Sequence, residues 1–260
     1  MRKKVLTLVL SAFLAFGQTA PYLGARTVAA ADITNHWAGP YMQKLMHYGI
    51  MRGDQSGNLN PDAPITRAEF VSMTNRAFGY DRYQGVKMPF KDVDENDWYA
   101  DDIAIAYSRG YFSGDSKSTA SPDSYLTREQ AVSLICRNLK VEDYYGEALG
   151  YTDSRTFSEW SKSSINAASE KGYVNGYTDG TFRPFNSITR GEAAKIFADV
   201  VGELVAGTGA YSFGEVNGNV TVSSSGATLK DTFVNGDIYI TAGVGSGYVN
   251  FENVQVTGEI

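Results

Sequence analysis

Apolar residues recur at helical spacing just after each of three tryptophans. After Trp37 they are Tyr41, Met42, Leu45 and Met46. After Trp98 they are Ile103, Ala104, Ala106 and Tyr107, and after Trp160 they are Ile165, Ala167 and Ala168. Each run predicts a helix of about three turns with one apolar face. A second helical pattern follows each one: Phe70, Val71, Met73 and Phe78; Ala131, Leu134, Ile135 and Leu139; Ala193, Ile196, Phe197 and Val200. A loop rich in Gly, Asp and Ser, ending at a proline, separates the two helices of a pair.

The punctuation between the helices repeats as well. Twelve residues after each tryptophan stands Gly49, Gly110 or Gly172, and sixteen after it Gly53, Gly114 or Gly176. Pro61, Pro122 and Pro184 follow at twenty-four, and Thr66-Arg67, Thr127-Arg128 and Thr189-Arg190 at twenty-nine. No gap interrupts these offsets, so the chain holds three copies of one unit. The first glycine sits where a left-handed residue stops a helix. Thr66 with Glu69, Thr127 with Gln130 and Thr189 with Glu192 each form a predicted capping box. One helix–loop–helix unit cannot cover its own apolar faces, whereas three together share a core.

These residues resemble the S-layer homology domain. The third copy, Gly176 to Pro184 and then Thr189-Arg190-Gly191-Glu192, is very similar to the family pattern. The first keeps Thr66-Arg67-Ala68-Glu69 with a looser loop. The second departs most: its loop from Asp115 to Pro122 lacks the Asp-Gly pair, and Glu129-Gln130 replaces Ala-Glu. The resemblance covers about residues 32 to 203. It implies a mainly α fold, three repeats in a pseudo-threefold bundle, with grooves between neighbouring units. Those grooves would hold a secondary cell-wall polysaccharide carrying a pyruvylated sugar, or another wall glycan. By motif position the implied contacts are Arg67, Arg128 and Arg190, Trp37, Trp98 and Trp160, and Asp179 with Gly180 in the third copy alone. The altered second loop sets any groove it lines apart.

Physical chemistry suggests why an arginine at the first helical position suits an acidic sugar. It stands at the positive end of the helix dipole, where free backbone amides accept a carboxylate, and its guanidinium adds a bidentate fork. On this reading Arg67→Ala with Arg190→Ala spares the fold and removes wall retention. One charged hydrogen bond is worth about 1.5–3 kcal/mol, so several weak grooves would act together on one polymer. The tryptophans fit core or groove wall equally, and the motif glutamate fits a structural cap.

The first residues read as a secretory leader spanning 1–31. Arg2, Lys3 and Lys4 precede an apolar stretch from Val5 to Gly17, and Ala29-Ala30-Ala31 offers a cleavage pattern. The apolar stretch is too short for a comfortable membrane span. Without the leader, 19 basic residues face 29 acidic ones. So acidic a chain is a poor partner for nucleic acid or anionic lipid. The single cysteine, Cys136, rules out an intrachain disulfide and reads as a buried thiol.

Other chemistry is scarce. Asp92 to Asp97 begins like a calcium loop but has Asp97 at the glycine position and Ile103 at the twelfth, so it reads as a turn and helix cap. His36 and His47 match no metal motif. No catalytic residue, metal site or cofactor signature is read.

The repeats are taken as 32–80, 90–141 and 151–203, then a linker over 204–214. Beyond it Val216-Asn217-Gly218-Asn219-Val220-Thr221-Val222 recurs as Val234-Asn235-Gly236-Asp237-Ile238-Tyr239-Ile240 and begins again at Val256. Period-two alternation between turns predicts a short β-solenoid over 215–260. Its third rung begins as the sequence ends, which suggests the N-terminal piece of a larger protein. Three functional readings follow: a non-catalytic wall anchor, favoured; a surface polysaccharide-active enzyme; and a structural subunit assembling in a surface layer.

Overall fold

The computed structural model describes residues 31–81, 87–142, 144 and 150–260. The secretory leader lies outside the described residues. Six helices form three pairs: α1 (Gly39–His47) with α2 (Arg67–Ala77), α3 (Ala100–Ser108) with α4 (Arg128–Leu139), and α5 (Glu159–Glu170) with α6 (Arg190–Val201). Gly49, Gly110 and Gly172 adopt φ of 70°, 78° and 72°, the left-handed stop expected of them. All three capping boxes form, including the one that uses Gln130.

The repeats interlock rather than stand side by side. The second helix of each packs on the first helix of the next: α2 on α3, α4 on α5, and α6 back on α1. At the centre a ring of backbone hydrogen bonds ties the segments that precede the second helices. Leu126 N–H donates to Ile65 O at 3.1 Å, Ile188 to Leu126 at 2.9 Å, and Ile65 to Ile188 at 3.0 Å. All three side chains are fully buried. The ring passes through every repeat once, so it forms only when all three are in place. Around it Phe70, Phe78, Phe112, Phe182 and Phe197 fill one continuous core. Burial of such large apolar side chains is the main stabilising term.

The residues after α6 form a stack of parallel strands in two sheets. In one sheet β1 (Glu203–Val205), β4 (Val220–Val222) and β6 (Ile238–Ile240) lie in that order. In the other, β5 (Ala227–Asn235) pairs with β2 (Gly209–Tyr211), β3 (Gly214–Asn217) and β7 (Val249–Val256). Val205, Val220, Val222, Leu229, Val234 and Ile238 fill its interior. This is the expected β-solenoid, of about three turns. The stretch 204–214, read as a linker, carries part of β1, all of β2 and the first residue of β3. The correction has a simple cause: Glu203, Leu204 and Val205 pair in register with Val220, Thr221 and Val222, so the first turn begins directly at the end of α6.

The solenoid seats on the helices through one face. Leu204, Thr221 and Tyr239 occupy matching register positions, and Leu204 and Tyr239 join the helical core. The side-chain amide of Asn219 donates to Val200 O at 3.0 Å, and Thr221 Oγ1 donates to Val201 O at 2.8 Å. These carbonyls at the end of α6 lack helical partners, so the solenoid caps that helix.

Candidate functional site

Each boundary between repeats is built on one plan. The arginine of one repeat inserts its guanidinium under the loop of the next. Arg67 Nε donates to Ala120 O at 2.9 Å, Arg128 Nε to Phe182 O at 2.9 Å, and Arg190 Nε to Leu59 O at 2.7 Å. All three arginines are buried. Burial of a charge requires a partner, and each has one. Arg67 Nη1 lies 3.1 Å from Asp115, Arg128 Nη1 3.5 Å from Glu192, and Arg190 Nη1 2.5 Å from Glu69. In two boundaries the partner is the capping-box glutamate of the next repeat. In the remaining one that position is the neutral Gln130, and the loop residue Asp115 supplies the charge instead.

The free amides expected at the helix tips are not free. Arg67 and Ala68 N–H donate to Ser124 O and Pro122 O, Arg128 and Glu129 to Asn186 O and Pro184 O, and Arg190 and Gly191 to Ala63 O and Pro61 O. The neighbouring loop consumes these donors, because closing the ring brings a turn of carbonyls onto every helix tip. The arginines also clamp the loops by their other nitrogens: Arg128 Nη2 reaches Asn175 O at 3.1 Å, and Arg190 Nη2 reaches Arg52 O at 3.0 Å. The motif arginine is therefore part of the fold.

The tryptophans stand outside the core. Trp37, Trp98 and Trp160 are 53%, 62% and 52% exposed. Three large indoles at equivalent, solvent-facing positions are unusual for residues that only pack. Trp37 belongs to the Arg190 boundary, where Gly191 lies against His36 and Ala38. Trp160 belongs to the Arg128 boundary, where buried Glu129 accepts hydrogen bonds from Ser158 Oγ at 2.9 Å and Ser161 Oγ at 2.7 Å, on either side of the indole in sequence. Trp98, just before α3, belongs to the boundary that α3 makes with the Arg67 helix.

Asp179 and Gly180 reach the Arg128 boundary through a chain of contacts. Asp179 accepts from Thr181 Oγ1 at 2.6 Å and from Arg183 Nη2 at 2.7 Å. These bonds hold its carboxyl well below the usual aspartate range. The guanidiniums of Arg183 and Arg128 lie 4.0 and 4.8 Å from the Tyr177 ring. Burial and the hydrogen bond to Glu192 push the Tyr177 hydroxyl up to about 12. Gly180 takes φ +79° at the loop tip, a conformation open to glycine at little cost.

One set of structural residues had no visible sequence signal. Asp32 accepts from Asn60 N at 2.6 Å, Asp92 from Ser121 N at 2.7 Å, and Asp153 from Arg183 N at 2.8 Å. Each fixes a left-handed residue (φ 50°, 52° and 59°) directly before the loop proline. Their distance to the tryptophan shifts by one residue from copy to copy, so a search at fixed offsets misses them. Asp92 belongs to this set and not to a calcium loop. Cys136 is buried, as expected.

A family model for the S-layer homology domain matches residues 31–71, 89–132 and 150–194, together half of the chain. The chain is 33% identical over 171 residues to an amylopullulanase of Thermoanaerobacterium thermosulfurigenes, covering 64% of this chain and 9% of that protein. It is 31% identical over 170 residues to the surface-layer 125 kDa protein of Lysinibacillus sphaericus, covering 64% and 14%. It is 29% identical over 158 residues to the cellulosome-anchoring protein of Acetivibrio thermocellus, covering 58% and 35%. The chain thus spans a small fraction of the length of these relatives. Triplicated motif, interlocked helix pairs and family match agree: the chain belongs to the S-layer homology domain family.

Proposed function

We propose that this chain is a non-catalytic anchor that holds an exported protein on the bacterial cell wall. S-layer homology domains anchor proteins to the wall, and the relatives are named as an amylopullulanase, a surface-layer protein and a cellulosome-anchoring protein. Among the described residues no helix is long and apolar enough to cross a membrane. Attachment then rests on the grooves.

The observation that supports this reading is that every repeat carries one exposed indole and one buried arginine at matching positions. The indole offers a flat apolar face to a sugar ring, while the arginine at the groove floor offers charged N–H donors. The ligand class is a secondary wall polysaccharide with carboxylate-bearing, pyruvylated sugars. Every floor arginine already has a carboxylate partner, so a sugar carboxylate shares the guanidinium with Asp115, Glu192 or Glu69. Single grooves are accordingly weak, and retention depends on several grooves engaging one polymer. The boundaries differ in their acids and loops, so the three do not contribute equally. The overall acidity of the chain opposes a polyanion at long range, and salt screens that repulsion.

The test is co-sedimentation of the full chain with purified walls, before and after mild acid removal of pyruvate ketals. Binding is expected only before treatment. Undiminished binding afterwards overturns the carboxylate reading.

A further inference from the structure

A cleft of about 890 Å³ lies between α1, α6 and the first turns of the solenoid. We propose that it binds an uncharged run of sugar units, continuing a glycan held at the Trp37 groove; this rests on the wall-anchoring reading above. Tyr41, on α1, lines the cleft four residues after Trp37, which stands in the turn just before that helix. The equivalent positions in the other repeats are Asp102 and Ser164. Only repeat 1 therefore has an aromatic residue four positions after its tryptophan.

Every lysine that lines the cleft is matched by an acid, and Glu215 adds one more carboxylate. Lys44 Nζ lies 2.9 Å from Glu203, Lys195 2.5 Å from Asp199, and Lys171 3.1 Å from Asp237. No surplus positive charge remains to favour an anion, while paired ammonium and carboxylate groups suit hydroxyls as donor and acceptor. The facing wall carries Asn217 and Asn235 on successive solenoid turns, joined at 3.3 Å. Each amide offers both a donor and an acceptor, the set that neighbouring sugar hydroxyls require. The cleft is partly open to solvent and largely polar, with Tyr41, Tyr173 and Phe213 as its aromatic residues, a form that suits an extended saccharide rather than a compact apolar ligand.

The test uses calorimetry of the full chain with purified wall polysaccharide, intact or hydrolysed to single repeating units. Tyr41→Ala removes the ring, and Asn217→Trp blocks the cleft from the opposite wall with α1 untouched. Each is expected to weaken binding of the intact polymer about five- to tenfold, with binding of single units unchanged. Intact-polymer affinity equal to wild type in both variants overturns the cleft and leaves the anchor standing. Equal losses for polymer and single units also overturn it, since the groove itself is then disturbed. A wild-type chain that binds neither overturns the anchoring reading, and the cleft with it.

Discussion

The amide of Ile65 donates to the carbonyl of Ile188 at 3.0 Å, and this bond closes the ring of three repeats. Residues of the first and third copies meet there at the centre of the bundle. A closed ring leaves no terminal repeat to fray. The helical part should therefore unfold in one step. Three variants, each keeping one of Trp37, Trp98 or Trp160 and carrying Phe at the others, report on one repeat apiece. Their fluorescence melts should superimpose, whereas separate midpoints would show that the repeats unfold independently.

Arg190 holds three carbonyl or carboxylate groups of repeat 1 at once. Arg190→Ala strands Leu59 O and Arg52 O and leaves Glu69 unpaired. A loss of about 2–3 kcal/mol in denaturant stability is expected. This revises the idea that arginine removal spares the fold. Wall retention is better probed with Trp37→Ala or Trp160→Ala. These exposed side chains should change the melting temperature little while retention falls.

Gly191 occupies the place of Ala68 and Glu129 in the other repeats, but its surroundings are tighter. A Cβ there would sit 2.9 Å from Ala38 Cβ and 3.1 Å from Pro61 O. Gly191→Ala should cost about 1–3 kcal/mol by overpacking, despite the better helix propensity of alanine. An unchanged urea midpoint would show that α1 shifts freely.

Glu203 ties the solenoid to α1, accepting from Tyr48 Oη at 2.6 Å and Lys44 Nζ at 2.9 Å. Burial alone raises its carboxyl, but these two hydrogen bonds together with the charges of Lys44 and His47 outweigh it and hold Glu203 below the ordinary 4.5. The native state thus takes up this proton less readily than the unfolded chain. The stabilisation is complete above about pH 4.5 and fades as pH falls further, through the lowered native value. The protection of the Leu204 and Val205 amides, measured against their intrinsic exchange rates at each pH, should fall over that acid range in the wild type. Glu203→Gln should flatten the dependence.

The solenoid caps α6 through Asn219 and Thr221, and Thr241 Oγ1 donates to Phe78 O at 2.7 Å beyond the end of α2. A fragment ending at residue 203 exposes these carbonyls and the socket of Leu204. Its stability should fall below that of the 32–260 chain by about 2–4 kcal/mol. Equal melting temperatures would show that the helical bundle is self-sufficient.

Much of this protein is legible without coordinates. Helix starts and stops depend on neighbours a few residues apart, so Thr66 with Glu69, or Gly49 after Met46, announce themselves in any copy. Triplication then converts weak local signals into a strong one, and alternation around Val220 and Ile238 marks the strands. What only the tertiary structure decided is where long-range partners meet. Ring closure brings the Ala63 and Pro61 carbonyls onto the tip of α6, and so turns an expected anion site into a clasp. It buries Arg190 beside Glu69 and leaves Trp37 in solvent. Pairing of Leu204 with Thr221 and Val205 with Val222 makes a strand of the start of a stretch whose local composition reads as linker. Local hydrogen bonds and periodicity are written in sequence; the burial of a charge, and the partner that permits it, follow from closure of the whole ring.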